Sequence, residues 1–320
     1  MKGKNLTKIS GGIAAAGAVA MVGAYFLTRS LMHVALNREE PALMKAARKR
    51  LIPSSEKGEF LKAVEAKMEE MDALPVEDVE LTAADGTRLV GHWYPCDNAK
   101  RVILAMHGWR SSWKKDFGMS TEFWHDNGCS VLFAEQRGQN ESGGDYMGFG
   151  LTERYDCRLW AYWLAEKAPN LPIYLGGISM GATTVLMASC LELPEQVHGI
   201  IADCGFTSPY EIWKHVSNGK VHLPYRFRGK LADSMFLRTV KAGSSHDSAE
   251  DALKKTSLPV LFIHGTEDQF VPVTMTYKNY RACAGPKRLL IVPGADHGMS
   301  YYVEREKYEA EVRKFWRDFD

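Results

Sequence analysis

The chain lacks the cysteine pairing that small metal and redox sites need. Its six cysteines, Cys96, Cys129, Cys157, Cys190, Cys204 and Cys283, are dispersed through 320 residues, and no two form a CxxC pair. That excludes the usual structural zinc site and the dithiol redox motif. Cys129 and Cys204 fall on or beside strand-like apolar runs and read as small buried hydrophobes, while disulfide pairing stays open for an exported domain. Net charge is missing too. With 40 basic against 39 acidic residues the balance is +1, so no overall field draws the protein to nucleic acid or to an acidic polymer. Nothing in the composition is fibrous or disordered: 45% of residues are apolar, and the length suffices for one large domain with a buried core plus an appendage.

Charge is also absent locally. Residues 9–28, ISGGIAAAGAVAMVGAYFLT, carry none. As a helix rising about 1.5 Å per residue they would cross a bilayer core of about 30 Å. The segment, with residues 1–29 as its unit, reads as an uncleaved membrane anchor. The competing reading is a signal peptide cut after Ala18-Val19-Ala20, giving a secreted domain; that cut would leave the apolar stretch 21–27 at a new N-terminus. Lys2, Lys4 and Lys8 precede the run and Arg29 alone follows directly, which places the bulk of the chain outside the cytoplasm. Arg38, Lys45 and the cluster 48–50 weaken that bias. Residues 30–75 read as a helical linker, broken at Pro41 and Pro53, that carries no chemistry and holds the next domain at the membrane or packs on its flank.

After Pro75 the pattern changes. VEDVELTAADGTRLVGHWYP is two alternating strands joined at Asp85-Gly86, residues that tolerate the positive φ of a hairpin turn. Apolar runs then recur at 102–106, 130–134, 173–175, 199–202, 260–263 and 289–292, with helical stretches between them. Such runs predict an α/β domain over 76–320, with a mostly parallel sheet covered on both faces. Ligands of open sheets of this kind sit at the carboxyl ends of the strands, and four motifs fall there.

Gly177-Ile178-Ser179-Met180-Gly181 stands between a strand and a helix. A serine on so sharp a turn projects its hydroxyl into the cleft, where the helix N-terminus favours negative charge. His107-Gly108-Trp109 ends the third strand, and an attacked carbonyl needs two backbone N–H donors there; Met180, next to the serine, and Trp109 are the candidates. Asp268, in GTEDQFVP, is placed to orient an imidazole, with Glu267 and Asp203 as alternatives. His297, in VPGADHGMS, is the candidate base.

In the chain order Ser, Asp, His, these motifs resemble the α/β-hydrolase superfamily over about 76–320, and within it bacterial membrane-anchored serine hydrolases related to monoacylglycerol lipases and the serine aminopeptidase group. The resemblance implies Ser179 as nucleophile, Asp268 as acid, His297 as base and an oxyanion hole at Trp109 and Met180. It also implies a helical cap inserted at about 205–258. Relatives often read D-x-R-G-H-G-x-S after the fourth strand, whereas this chain reads EQRGQNES over 135–142; Asn140 replaces a glycine and tolerates positive φ.

In the cap, Phe206, Tyr210 and Trp213, with His107 from the oxyanion loop, are the candidate substrate pocket. Lys214, Lys220, Arg226, Arg228 and Lys230 form a basic run that is solvated or faces anionic lipid. The expected protein is a serine hydrolase of carboxylic esters, taking a small-molecule ester or lipid-like substrate through an acyl-enzyme, with no metal or organic cofactor and no nucleic-acid partner. An aminopeptidase or acyltransferase with the same triad is the rival reading, and a noncatalytic binding protein the more distant one. Oligomeric state is not legible.

Overall fold

The computed structural model describes residues 21–39, 55–220, 225, 228–245 and 247–320, without the side chains of residues 55–57 and 220. Eight strands build one sheet: β1 (Glu77–Thr82), β2 (Arg88–Tyr94), β3 (Arg101–Met106), β4 (Cys129–Glu135), β5 (Ile173–Ile178), β6 (Val197–Asp203), β7 (Val260–Gly265) and β8 (Lys287–Val292). Their order is β1-β2-β4-β3-β5-β6-β7-β8. β2 runs antiparallel to β1 and to β4, and the remaining pairs are parallel. The hairpin forms at the expected turn: Gly86 has φ 84°, and the Thr87 N–H donates to Asp85 Oδ1 at 3.1 Å.

Every residue of β3 and β4 is buried, because helices cover both faces of the sheet. Trp113–Asp126 and Arg305–Phe319 lie on one side, over a core that includes Phe117, Phe123, Tyr174, Phe315 and Trp316. Glu153–Lys167, Met180–Ala188 and Val273–Ala282 lie on the other, over Trp160, Leu164, Val185 and Met275. The chain leaves β3 towards β4, then crosses back to lay β5 on the opposite edge of β3. At that switch the segments after β3 and β5 diverge to opposite faces and leave a crevice at the strand ends.

Two further helices reach the crevice. Ser55–Asp72 packs on Trp113–Asp126 and buries Val64 and Met71. Residues 21–36 are helical: Met32 and Leu36 enter the core, while Met21, Val22 and Phe26 are exposed. The stretch that follows is stitched down, with an isolated bridge between Asn37 and Tyr146 and the Met147 N–H donating to the Leu36 carbonyl at 2.8 Å. Among the described residues no helix is long and apolar enough to cross a membrane. Most of the uncharged run expected to do so, residues 9–20, lies outside them.

The segment after β6 folds into the helices Pro209–His215, Gly229–Val240 and Ala249–Leu253. Ser208 caps the first of these, its Oγ accepting from the Glu211 N–H at 3.2 Å, and Pro209 opens it. Part of the basic run is not a free surface: Arg228 is buried and donates to Ser217 Oγ, and Lys214 pairs with Glu211 at 3.3 Å. The Lys220 side chain and Arg226 lie outside the described residues. All six cysteines are free thiols.

Candidate active site

Ser179 follows β5 with φ 56° and ψ −115°, a backbone conformation that costs a residue with a Cβ of order 1–3 kcal/mol unless its surroundings impose it. They do. A Cβ on Gly181 would sit 1.8 Å from the Met106 carbonyl oxygen, and one on Gly177 would sit 2.4 Å from Gly181, so β3, β5 and the helix Met180–Ala188 close on the turn only because both positions are glycine. The Ser179 N–H donates to the Asp203 carbonyl at 2.9 Å, locking the turn to β6.

The serine hydroxyl donates to His297 Nε2 at 2.9 Å, and His297 Nδ1–H donates to Asp268 Oδ2 at 2.7 Å. Asp268 is held from several sides. Its Oδ1 accepts the N–H groups of Phe270 and Val271, each at 2.8 Å, and its Oδ2 also lies 3.1 Å from His264 Nε2. Burial alone would raise this carboxyl; the bonds from His264 and His297 outweigh it and hold the acid well below the ordinary carboxylate range. Asp296 joins the two loops, its Oδ1 accepting from the N–H groups of Gln269 and His297. Glu267 points to solvent. Asp203 is buried, accepts from Ser300 Oγ at 3.1 Å, and is pushed up to about 6, chiefly by burial.

Trp109 and Met180 flank the serine. Met180 opens its helix, and the first four N–H groups of a helix have no acceptor within it. The Trp109 loop is braced by Asp116, whose Oδ2 accepts the Gly108 N–H at 2.7 Å and whose Oδ1 accepts from Ser111 Oγ at 2.5 Å. It is also tied to the N-terminal segment. The Trp109 indole donates to the Ala35 carbonyl at 2.9 Å, and the Arg110 guanidinium donates to the carbonyls of Val34, Asn37 and Arg38. Asn140 has φ 45°, so the turn that relatives build with glycine forms here with asparagine, and the Asn140 amide donates to the Ser111 carbonyl at 2.8 Å.

A cavity of about 280 Å³ opens beside Ser179, His297 and Trp109. The residues expected to line it do not. Phe206, Tyr210, Trp213 and His107 are all absent from its wall. Phe206 and Trp213 turn inward onto Phe149, Trp213 also meets Phe236, and Tyr210 packs on Tyr225; these aromatics fasten the segment to the main core. His107 is fully buried, donating from Nδ1 to the Gly108 carbonyl with Nε2 2.8 Å from Glu135. The wall comes instead from Phe60, Leu61 and Val64 of Ser55–Asp72, from Met119, and from Tyr301 and Tyr302. Those residues, and His264 as a partner of Asp268, were missed from sequence. The regular apolar spacing in Ser55–Asp72 was the available signal, although it names no target.

Cys204, Asp268 and His297 bring ligand-type atoms within 4.8 Å of one another. Their chemistry is not that of a metal set: Asp268 is committed to His297, His264 and two amides, and burial raises the Cys204 thiol well above its ordinary value, keeping it protonated.

Residues 97–235 match the family described as serine aminopeptidase, S33. The esterase Pf2001 of Pyrococcus furiosus superposes with a TM-score of 0.62 at 22% identity, covering 78% of this chain and 93% of its own. The chain has the α/β-hydrolase fold. Among the curated relatives of this chain, the uncharacterized YqkD of Bacillus subtilis (strain 168) is 30% identical over 59% of this chain and 63% of its own, so the match spans a little under two thirds of that relative. The lysophosphatidylserine lipase ABHD12 of Xenopus tropicalis is 26% identical over 68% of this chain and 57% of its own.

Proposed function

We propose that this α/β-hydrolase cleaves carboxylic esters through an acyl-enzyme on Ser179. The observation that carries the reading is the unbroken hydrogen-bond line from Ser179 Oγ through His297 to Asp268. Ser179 attacks the ester carbonyl as His297 Nε2 takes its proton, and Asp268 stabilises the resulting imidazolium. The N–H groups of Trp109 and Met180 receive the oxyanion. Collapse expels the alcohol, protonated by His297. Water then attacks the acyl carbon with His297 as base, releasing the acid and restoring the serine. Each step uses side chains and backbone of this chain alone.

An ester fits better than an aminoacyl substrate. The two carboxylates on the cavity wall, Asp116 and Asp203, already accept hydrogen bonds from Gly108, Ser111 and Ser300, which leaves neither carboxylate dedicated to a substrate ammonium. The esterase and lipase named among the similar proteins agree with that choice. The reading extends to location: residues 9–28 anchor the protein in a membrane with the domain on the extracytoplasmic side, in keeping with the exposed Met21, Val22 and Phe26.

The test is hydrolysis of p-nitrophenyl esters by the full chain and by Ser179→Ala, beside aminoacyl p-nitroanilides. Ester turnover that falls by about 10⁴ or more in the variant is expected. Turnover of the anilides alone would replace the esterase reading with a peptidase.

A further inference from the structure

The cavity shares its mouth with Ser179 but lies away from the cap, under a helix that precedes the catalytic domain. Phe60, Leu61 and Val64 descend from Ser55–Asp72, and the Phe60 ring meets Tyr302 edge-on at 5.3 Å between centroids. Deeper in, the wall passes to Ile103, Phe117 and Trp124, each at most 5% exposed. Four polar side chains along it are already used: Tyr301 donates to Glu309 at 2.7 Å, Ser120 donates to the Phe117 carbonyl, and Asp116 and Asp203 hold the partners given above. Lys115 is the cation of the lining.

We infer that this cavity is the acyl subsite, that it takes an unbranched apolar acyl chain, and that Phe60 and Val64 set how long a chain the enzyme accepts. The inference rests on the esterase reading and adds a substrate class to it. Two physical arguments support acyl rather than alcohol. The leaving alcohol must receive its proton from His297, whose side chain is 25% exposed, so it departs towards solvent. The wall at Ile103, Phe117 and Trp124 is apolar and almost fully buried, and a polar headgroup set against it would lose its water without compensation. At about 280 Å³ the space is at the small end of ligand sites, which run from about 300 Å³ upward.

The experiment uses the full chain and a series of ethyl p-nitrophenyl alkylphosphonates from methyl to octyl. Ser179 Oγ attacks phosphorus, its proton passes to His297, and p-nitrophenolate leaves with the bonding pair, giving one coloured equivalent per site without any need for water as acceptor. The rate should rise about fourfold per methylene until the cavity is full, the factor for burying one CH₂. Val64→Trp, which fills the cavity, should slow the octyl probe about tenfold or more relative to methyl. Phe60→Ala, at a half-buried position that tolerates truncation, should move the optimum to longer chains.

A rate independent of chain length in the parent, or a folded pair of variants that keeps the parental profile, overturns the inference. A profile that shifts in Trp213→Phe instead also overturns it, returning the subsite to the cap. Failure of every probe to modify Ser179 removes the nucleophile, and the acyl subsite with it. Modification without chain-length dependence removes the subsite alone.

Discussion

The Arg110 guanidinium donates to the Asn37 carbonyl at 2.6 Å, so the end of the helix over residues 21–36 is fastened to the loop that carries Trp109. Two more carbonyls, of Val34 and Arg38, share the same guanidinium, and a cation at a helix C-terminus is favoured by the helix dipole. Arg38 in turn donates to the carbonyls of Ser142 and Asn140 in the loop after β4. The N-terminal segment is thus part of the wall behind the candidate oxyanion donors.

Cutting that tie should loosen Trp109 while leaving substrate contacts in place. Arg110→Ala is expected to lower kcat about tenfold or more with KM changed less than about twofold, since a small misplacement of a catalytic donor is costly. Deletion of residues 1–39 should do the same, and steady-state kinetics on one ester compares them. A change in KM alone would show that the clamp does not reach the oxyanion loop.

Asp268 links the proposed catalysis to acid stability. Asp268→Asn should reduce kcat by about 10⁴, because the amide no longer holds His297 in the required tautomer. Its effect on folding depends on pH. The carboxyl is depressed below its ordinary 3.8 in the folded chain, so its contribution is complete above that value and is lost as pH falls beneath it. Urea denaturation should show the variant weaker than the parent at pH 7, with the gap closing below about pH 4.

Asp203 carries the opposite sign. Its folded value of about 6 exceeds the ordinary 3.8, so its contribution is fully present below 3.8 and is lost as pH rises through about 6. Asp203→Asn should therefore gain on the parent between pH 5 and pH 8, by about 1 kcal/mol. Chemical denaturation at the two pH values reads the difference; equal differences at both would mean that Asp203 keeps an ordinary carboxyl in the fold.

Backbone crowding at the nucleophile gives a stability prediction. Gly181→Ala places a methyl 1.8 Å from the Met106 oxygen and should cost more than about 4 kcal/mol, or prevent folding. Gly58→Ala, in a helix with nothing within 4 Å of the added carbon, should stabilise by about 0.5–1 kcal/mol. Circular dichroism melts of the pair test whether the glycines around Ser179 serve close approach or mere flexibility.

Much of the site was legible because its chemistry is written in contiguous residues. GISMG names a strained serine between strand and helix, and the apolar runs place the loops of Trp109, Asp268 and His297 at the same end of a parallel sheet. Asn140 could be read as a glycine substitute because a left-handed φ is a local property. The pairing of His264 with Asp268 was less accessible: a histidine inside a buried strand shows no partner until the loop after β7 folds back on it.

The lining of the cavity beside Ser179 was not legible for a related reason. The aromatics of the segment after β6 are conspicuous in the sequence, but a hydrophobic side chain declares only that it will be buried; Phe206 and Trp213 are buried onto Phe149 of the main core, and Tyr210 is half-buried against Tyr225. Phe60, Leu61 and Val64 lie in a stretch that looked like a linker. Sequence alone determined the sheet, the order of the motifs and the conformational demands at the nucleophile, since these follow from local periodicity and backbone sterics. Tertiary structure decided which apolar surfaces met, and so which helix walls the cavity and which arginine braces the Trp109 loop, because hydrophobic burial is non-directional and its partners are chosen by the whole fold.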